Sequence, residues 1–308
     1  VTFTLSGNGA QFPGAGVGGV PANVLQLTGL RMSVIVQGAG LPAWQQAVIK
    51  IYGMKLVDMS ALAVQTMILG RTGYLPNTVL VEANSGTGWT AAYTGNIYTA
   101  APDFTAAPDV PLVVTSVFGG YDQLNPSAPS SFPGSTSIDT IMSVLIAKTG
   151  QAYVNAGVTG VTSGATYFPF APLENVRKAC NDFNLDVVPD NTNAVMVVTP
   201  KGQADKSTPF TLSPSSGLVG YPVPQANGMI LVRSLYNPAF HIKSPITITG
   251  SDAVTLANNA PETYNSGANG NWCVSAITNT LESLTPNGAW FSDMLLYPPE
   301  VVDLAPST

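Results

Sequence analysis

The chain has 308 residues, of which only 9% are charged, against the roughly 25% of an ordinary soluble domain, while 45% are apolar. That combination excludes disorder, which needs low hydrophobicity with high net charge, and a net charge of −6 is not the basic footprint that grips phosphates. The densest basic pair is Arg177-Lys178, the 2 cysteines are too few for a disulfide scaffold or a four-thiolate zinc site, and no apolar run approaches the ~20 residues of a membrane-crossing helix.

Predicted elements run as follows. Residues 3–5 form a short strand and 7–19 a glycine-rich loop. Segments 27–37 and 47–52, rich in β-branched and aromatic residues and bounded by Gly or Pro, read as strands, with a helical turn at 57–65. Strands follow at 78–83, 89–98 and 112–118, where Tyr93 and Ile97 alternate with threonines in the rhythm of a half-buried sheet. Short strands at this spacing suggest a barrel or sandwich. Residues 125–136 carry three prolines and are expected to hold neither ladder nor helix, so a linker and domain boundary is placed there.

Two helices come next. Over 137–149, Ile138, Ile141, Met142 and Leu145 recur at helical spacing, with Ser137 as N-cap and Gly150 as the left-handed stop. Over 172–184, Pro172 opens the helix and Leu173, Val176, Cys180 and Phe183 line one face. Strands at 151–155, 185–188 and 194–198 complete an α+β module. From 209 the β pattern returns, at 218–221, 229–235, 246–250, 272–280 and 289–296, with a polar loop at 258–270 and an extended tail from 298. The fold class is mainly β with a smaller α+β module, and the division is 1–124, linker 125–136, 137–206 and 207–308.

Residues able to carry chemistry are sparse. His241 is the single histidine and no G-x-S-x-G elbow accompanies it, so a structural role in a turn is expected. Cys180 and Cys273 read as buried small hydrophobes without a neighbouring ligand. Gly14, Gly16 and Gly19 match G-x-G-x-x-G without a following helix, and are expected to form a plain loop. Asp103 and Asp109 sit in an Ala/Pro loop, while Asp182, Asp186 and Asp190 straddle a helix end and a turn; all five are expected to be solvated loop acids. The reading is therefore no catalytic residue, no cofactor and no metal. Trp272, Trp290, Phe291 and Tyr221 are expected to anchor the core of the last region.

The missing charge carries its own implication. Ser, Thr, Asn, Gln, Gly and Pro stand where ions normally would, and such a surface is covered by neighbouring subunits without desolvating charges. A permanent assembly follows. The alternative is a secreted or coat β protein whose surface is simply rich in Thr and Asn. No basic-then-apolar start at Val1 resembles a signal peptide, so synthesis inside the cell and a soluble product are expected.

An ordered series of segments resembles the central baseplate hub family of phage tails, which spans Mu-like contractile tails, long non-contractile tails and the upper part of type VI secretion spikes. The series begins with Ala147-Lys148-Thr149-Gly150, the segment 153–158 and Tyr167-Phe168-Pro169-Phe170-Ala171-Pro172-Leu173-Glu174. It continues with 195–198 and Pro200-Lys201-Gly202, Gly220-Tyr221-Pro222, and Leu235-Tyr236-Asn237-Pro238 before the strand at 246–249. Gly270-Asn271-Trp272-Cys273-Val274-Ser275 and Pro286-Asn287-Gly288-Ala289-Trp290-Phe291-Ser292 close it, so the match covers residues 137–298.

The resemblance implies a non-enzymatic virion protein of the tail baseplate, made in the host bacterial cytoplasm. It implies two β-barrel-like domains per subunit, possible discontinuity of those domains, and a homotrimer whose pseudo-sixfold ring matches a hexameric tail tube or distal tail protein. A spike or tail-tip protein lies on the other side, the tape measure protein is a further partner, and DNA passes along the axis without sequence-specific binding. Late segments are expected to pair with the first β region. A carbohydrate-binding tail-tip or receptor-binding protein is the alternative, using Trp44, Trp89 or Tyr98 as an exposed platform. A wall-degrading hydrolase is a third reading.

Overall fold

A computed structural model describes residues 1–6, 10–13, 20–40, 43–63, 76–86, 88–191, 193–225, 228–250 and 268–298. The motif glycines Gly14, Gly16 and Gly19, most of the expected loop at 258–270 and the tail beyond 298 lie outside them.

The first region contains β1 (Thr2–Thr4), β2 (Val24–Gln26), β3 (Met32–Gly38), β4 (Gln46–Ile51), helix α1 (Leu56–Ala63), β5 (Thr78–Asn84), β6 (Trp89–Pro102) and β7 (Leu112–Val117). The strand expected over 27–37 is corrected here: it begins only at Met32, because Gly29 adopts a left-handed backbone, φ 70°, and turns the chain between β2 and β3. Strict alternation in β3 and β4 sends Val34, Val36, Ala47, Ile49 and Ile51 inward, where they meet Phe3, Val79, Tyr93, Ile97 and Leu112 in one core. Buried Tyr93 donates its hydroxyl to Ser116 Oγ at 3.1 Å, and Ser116 donates to the Asn96 carbonyl at 2.8 Å. Gly95 is required beside this pair, since a Cβ there would lie 2.2 Å from the Tyr93 hydroxyl.

The middle region holds α2 (Gly120–Leu124), β8 (Ser130–Phe132), α3 (Ile138–Ala147), β9 (Ala152–Asn155), β10 (Thr166–Phe168), α4 (Pro172–Asp182), β11 (Leu185–Asp190) and β12 (Val195–Pro200). Ser137 caps α3 by accepting from the Thr140 amide at 3.1 Å, and Gly150 closes the turn after it at φ 73°. Ile141, Met142, Leu145, Leu173, Val176 and Cys180 pack against Val187, Met196 and Val198 as a second core.

The expectation that residues 125–136 hold no ladder is corrected: residues 130–132 form β8, antiparallel to β10. The three residues between Pro129 and Pro133 keep their amides, Ser130 and Phe132 face inward, and Phe132 meets Phe168 edge to face at 6.1 Å.

The last region has β13 (Phe210–Leu212), β14 (Leu218–Pro224), β15 (Ile230–Leu235), β16 (Pro245–Ile248), β17 (Gly270–Ser283) and β18 (Trp290–Tyr297). A third core of Leu212, Ile230, Val232, Ile246, Ile248, Trp272, Val274, Met294 and Leu296 lies between them.

β17 joins the two β regions. Its first residues pair with β16, a bulge interrupts the ladder between Val274 and Ala276, and Ile277–Ser283 pair with β3. The described strands of the two β regions thus make one sheet in the order β14-β15-β18-β17-β3-β4-β7-β6-β5-β1-β2, with β16 and β13 branching from β17, while β10-β8 and β11-β12-β9 form two small sheets of the middle region. The molecule is mainly β with a small α+β module, and its late strands pair with early ones. No helix among the described residues is long and apolar enough to cross a membrane.

Candidate functional site

The acids fall into two groups. Asp103 and Asp109 stay at the surface, the former accepting from the Thr105 amide at 3.0 Å and the latter from Arg31 at 3.0 Å. Asp182 is paired on its helix with Lys178 at 2.6 Å. Asp186 and Asp190 depart from the expectation of solvated acids: β11 carries both towards the C-terminal region, where neighbouring chain covers them.

Asp186 belongs to a buried clamp between the α+β module and the C-terminal region. Its Oδ2 lies 2.7 Å from Lys243 Nζ and accepts from the Gly202 amide at 2.8 Å. Lys243 also donates to Tyr297 Oη at 3.1 Å, and Tyr297 donates to the Gly202 carbonyl at 2.8 Å. The Lys243 backbone is held in the left-handed region, φ 73°, by its amide on the Val274 carbonyl and its carbonyl under the Asp205 amide.

Asp205 extends the clamp. Its Oδ2 lies 2.6 Å from His241 Nε2, while His241 Nδ1 lies 3.1 Å from the Ala239 carbonyl. Both ring nitrogens face oxygen acceptors, an arrangement that favours the doubly protonated imidazolium. Burial pulls this imidazole down, but the Asp205 hydrogen bond and charge, the Asp190 charge and the Ala239 carbonyl outweigh it, and His241 titrates above 6.5. Burial likewise pushes Asp205 up, yet the bonds from His241 and Ser207 hold its carboxyl below 3.8. His241 thereby ties its own loop to the loop of Asp205. Asp205 was not singled out in the sequence, because nothing local marks a loop acid as the partner of a histidine on another element.

Cys180 is buried in the second core and Cys273 beside Tyr297; both are free thiols whose pKa burial raises. Among the described residues no three His, Cys, Asp or Glu side chains gather in a geometry to hold a metal ion.

One sheet face is sparse in charge over two adjacent rows, while the row on the far side of them carries Lys50 and Glu282. Directly paired residues project to the same side, so Thr115, Val48, Ile35, Thr280, Phe291 and Leu235 form one row across β7, β4, β3, β17, β18 and β15. The adjacent row runs Val117, Gln46, Gln37, Thr278, Asp293 and Arg233. Its two charges neutralise each other in a bidentate pair at 2.7 and 2.9 Å, with the guanidinium 5.6 Å from the Phe291 ring centre. Ile35, Val48 and Leu235 are exposed on this face.

The expected aromatic anchors divide. Trp272 is core, Trp290 and Phe291 are half-buried, and Tyr221 is corrected: it is exposed on β14, an end strand where Pro222 prevents a further ladder. Of the three aromatics set aside for a sugar platform, Trp44 is buried against Phe118, at 6.0 Å between ring centres, while Trp89 and Tyr98 are exposed.

The sequence matches no protein-family model and no curated protein. Solved structures do match. The 43 kDa tail protein of prophage MuSo2 from Shewanella oneidensis superposes with a TM-score of 0.55 at 9% identity, over 92% of this chain and 95% of that one. The tail protein from Neisseria meningitidis MC58 gives 0.54 at 8% identity, over 87% and 95%. At such identity the likeness is one of architecture, and this chain has the fold of phage tail proteins over nearly its whole described length.

Proposed function

We propose that this chain is a non-enzymatic structural component of a phage tail, the central baseplate hub. Three copies form a ring that joins a hexameric tail tube or distal tail protein to a spike or tail-tip protein, with the tape measure protein as a further neighbour. DNA passes through the ring without being read. Residues 1–124 and 207–308 are the two β-barrel-like domains, 137–206 the α+β module and 125–136 the connection between them.

The observation that carries this reading is the row of Thr115, Val48, Ile35, Thr280, Phe291 and Leu235, which spans both β regions without a charge of its own, between a row holding the Arg233–Asp293 pair and one holding Lys50 and Glu282. A free protein keeps charge on its surface for solubility. A face of this kind is suited to permanent cover by another protein, because few ions on it must be stripped of a hydration shell. The fold shared with tail proteins supplies the setting.

Sedimentation of the purified chain and imaging of assembled tails test the proposal. A trimer in solution, found at the junction of tube and tip, is expected. A stable monomer, or a position at the tail periphery together with binding on a glycan array, would replace the hub with a receptor-binding role.

A further inference from the structure

Between β12 and β13 the chain runs over residues 201–209 without strand or helix, and only Gly202 and Asp205 are buried along it. Lys201, Gln203, Lys206, Ser207, Thr208 and Pro209 are exposed. A segment that buries no large apolar side chain gains little from the hydrophobic effect by lying down, so its polar ties decide whether it does. At its start it is tied to the α+β module, the Lys201 amide donating to the Asn184 carbonyl at 3.0 Å and the Gly202 amide to Asp186 Oδ2 at 2.8 Å. Further on it is tied to the last region. The Asp205 amide donates to the Lys243 carbonyl at 2.9 Å, Asp205 Oδ2 lies 2.6 Å from His241 Nε2, and the Gly202 carbonyl accepts from Tyr297 at 2.8 Å. Cys273, fully buried and directly paired with Tyr297, stands beside these anchors, with Lys243, Asp205 and Asp186 as its charged neighbours.

The charges around His241 are unevenly matched. Asp205 faces it from the segment and Asp190 from β11, while Tyr236 lines the same small recess. Lys243 of its own loop and Asp186 of β11 complete the cluster, with Tyr297 of β18 and Cys273 of β17 at the far end. A protonated His241 and Lys243 therefore face Asp186, Asp190 and Asp205; once the ring is neutral, Lys243 faces the same carboxylates alone. The ring's hydrogen bonds change with its charge. Each nitrogen faces an oxygen, Asp205 Oδ2 or the Ala239 carbonyl, and a neutral ring carries a single N–H. Losing the proton thus sets a nitrogen lone pair against one of those oxygens.

We infer that residues 201–209 form a strap latched by His241, closed beside Cys273 while the ring is protonated and lifting when the ring gives up that proton. Against the pull of burial, Asp205 and Asp190 keep the proton on the ring to above 6.5, so release falls on the alkaline side. The second core and the ladders of β17 do not depend on the strap, so its lifting is a local opening rather than unfolding.

The two native thiols read this opening. Cys273 stands at the latch, whereas Cys180 is buried in the second core. Labelling with N-ethylmaleimide, resolved by peptide mass and referred at each pH to the chain unfolded in urea, removes the thiols' own titration from the comparison. The protection of Cys273 is expected to fall roughly tenfold from about pH 6 to about pH 9, with that of Cys180 unchanged. In Asp205→Asn and in His241→Gln, Cys273 is expected to be labelled faster than in the parent at about pH 6, with a flat pH profile. Retained protection of Cys180 shows that a variant is folded; where one variant loses it the other supplies the reading, and where both do the parent's profile decides. A parent whose Cys273 protection is the same at both pH values overturns the strap. So does a fall shared by Cys180, which is global unfolding, or a fall that persists in folded His241→Gln.

Discussion

The two β regions share β17 and yet attach to the α+β module by different physics. The first region meets it through apolar packing and amides. Trp44 and Phe118 join the module's core, Gly119 sits directly under Leu173, and Asn191 donates to Gln45 Oε1 at 2.5 Å. The last region adds ions to apolar packing, with Val188 of β11 in its core, Lys243 on Asp186 and His241 on Asp205. In a chain with 11 Lys and Arg, 17 Asp and Glu and 1 His, placing four of these at one internal junction is a marked concentration. Apolar contact tolerates sliding, whereas a hydrogen-bonded ion pair fixes one geometry. Much of the chain's sparse charge thus serves where two modules must hold a single orientation.

Breaking the ionic junction should therefore cost more than loosening the apolar one. The largest effect is expected from Lys243→Met, which leaves Asp186 covered without its cation. A loss of roughly 3 kcal/mol follows from removing one partner of a buried pair, measured as a shift in the denaturation midpoint. If Lys243→Met and Asp186→Leu together restore most of that loss, the pair specifies geometry more than it stabilises.

The histidine arm of the clamp gives the comparison a pH axis. The folded pKa of His241 lies above 6.5, so its contribution is complete below that pH and disappears as pH rises through the folded value. Asp205 is depressed below 3.8, so its contribution is present above that pH and is lost as pH falls through the lower folded value. The clamp is strongest between these limits. His241→Gln is expected to destabilise by about 2 kcal/mol near pH 5.5, with the gap from the parent closing towards pH 9. A pH-independent gap would mean that the ring acts through shape alone.

At the apolar junction, Gly119→Ala acts through the backbone. Gly119 has φ 56°, and a Cβ there would lie 2.3 Å from Leu173 Cδ1, the mobile end of a side chain. The left-handed conformation and the displaced leucine together cost roughly 1.5 kcal/mol, read as a lower melting temperature with the clamp's pH profile unchanged.

The same contrast separates what could be read in the sequence from what could not. The α3 face was legible because Ser137, Ile138, Ile141, Met142 and Leu145 encode it within one window. Burial of Cys180 followed from its place on the α4 face. The clamp was invisible, because Asp205 and His241 lie on separate loops and periodicity reports which side is covered, not which loop arrives there. β8 was hidden by its flanking prolines, since a three-residue strand needs only three free amides. Tyr221 misled for a related reason: aromatic content marks burial in an inner strand, but Pro222 and Pro224 make β14 an end strand.

The smallest predicted effect probes a carboxylate with no cation beside it among the described residues. Asp122 lies in the first turn of α2, beside a cleft lined by Thr78, Thr149, Gln151, Leu173 and Met196, which brings no cation near it. Burial alone raises its carboxyl to about 6. Because the folded value exceeds the ordinary 3.8, the ionised form is disfavoured in the folded chain, and stability present at low pH declines as pH rises through about 6. Asp122→Asn should then stabilise by about 1 kcal/mol at pH 7.5, after allowance for the residue's partial solvent exposure, and be neutral below pH 4. Lys243→Met changes in the opposite sense because its carboxylate loses a cation, whereas Asp122 never had one. If Asp122→Asn destabilises at pH 7.5 instead, the carboxylate is favourable at the start of its helix and the helix dipole outweighs burial.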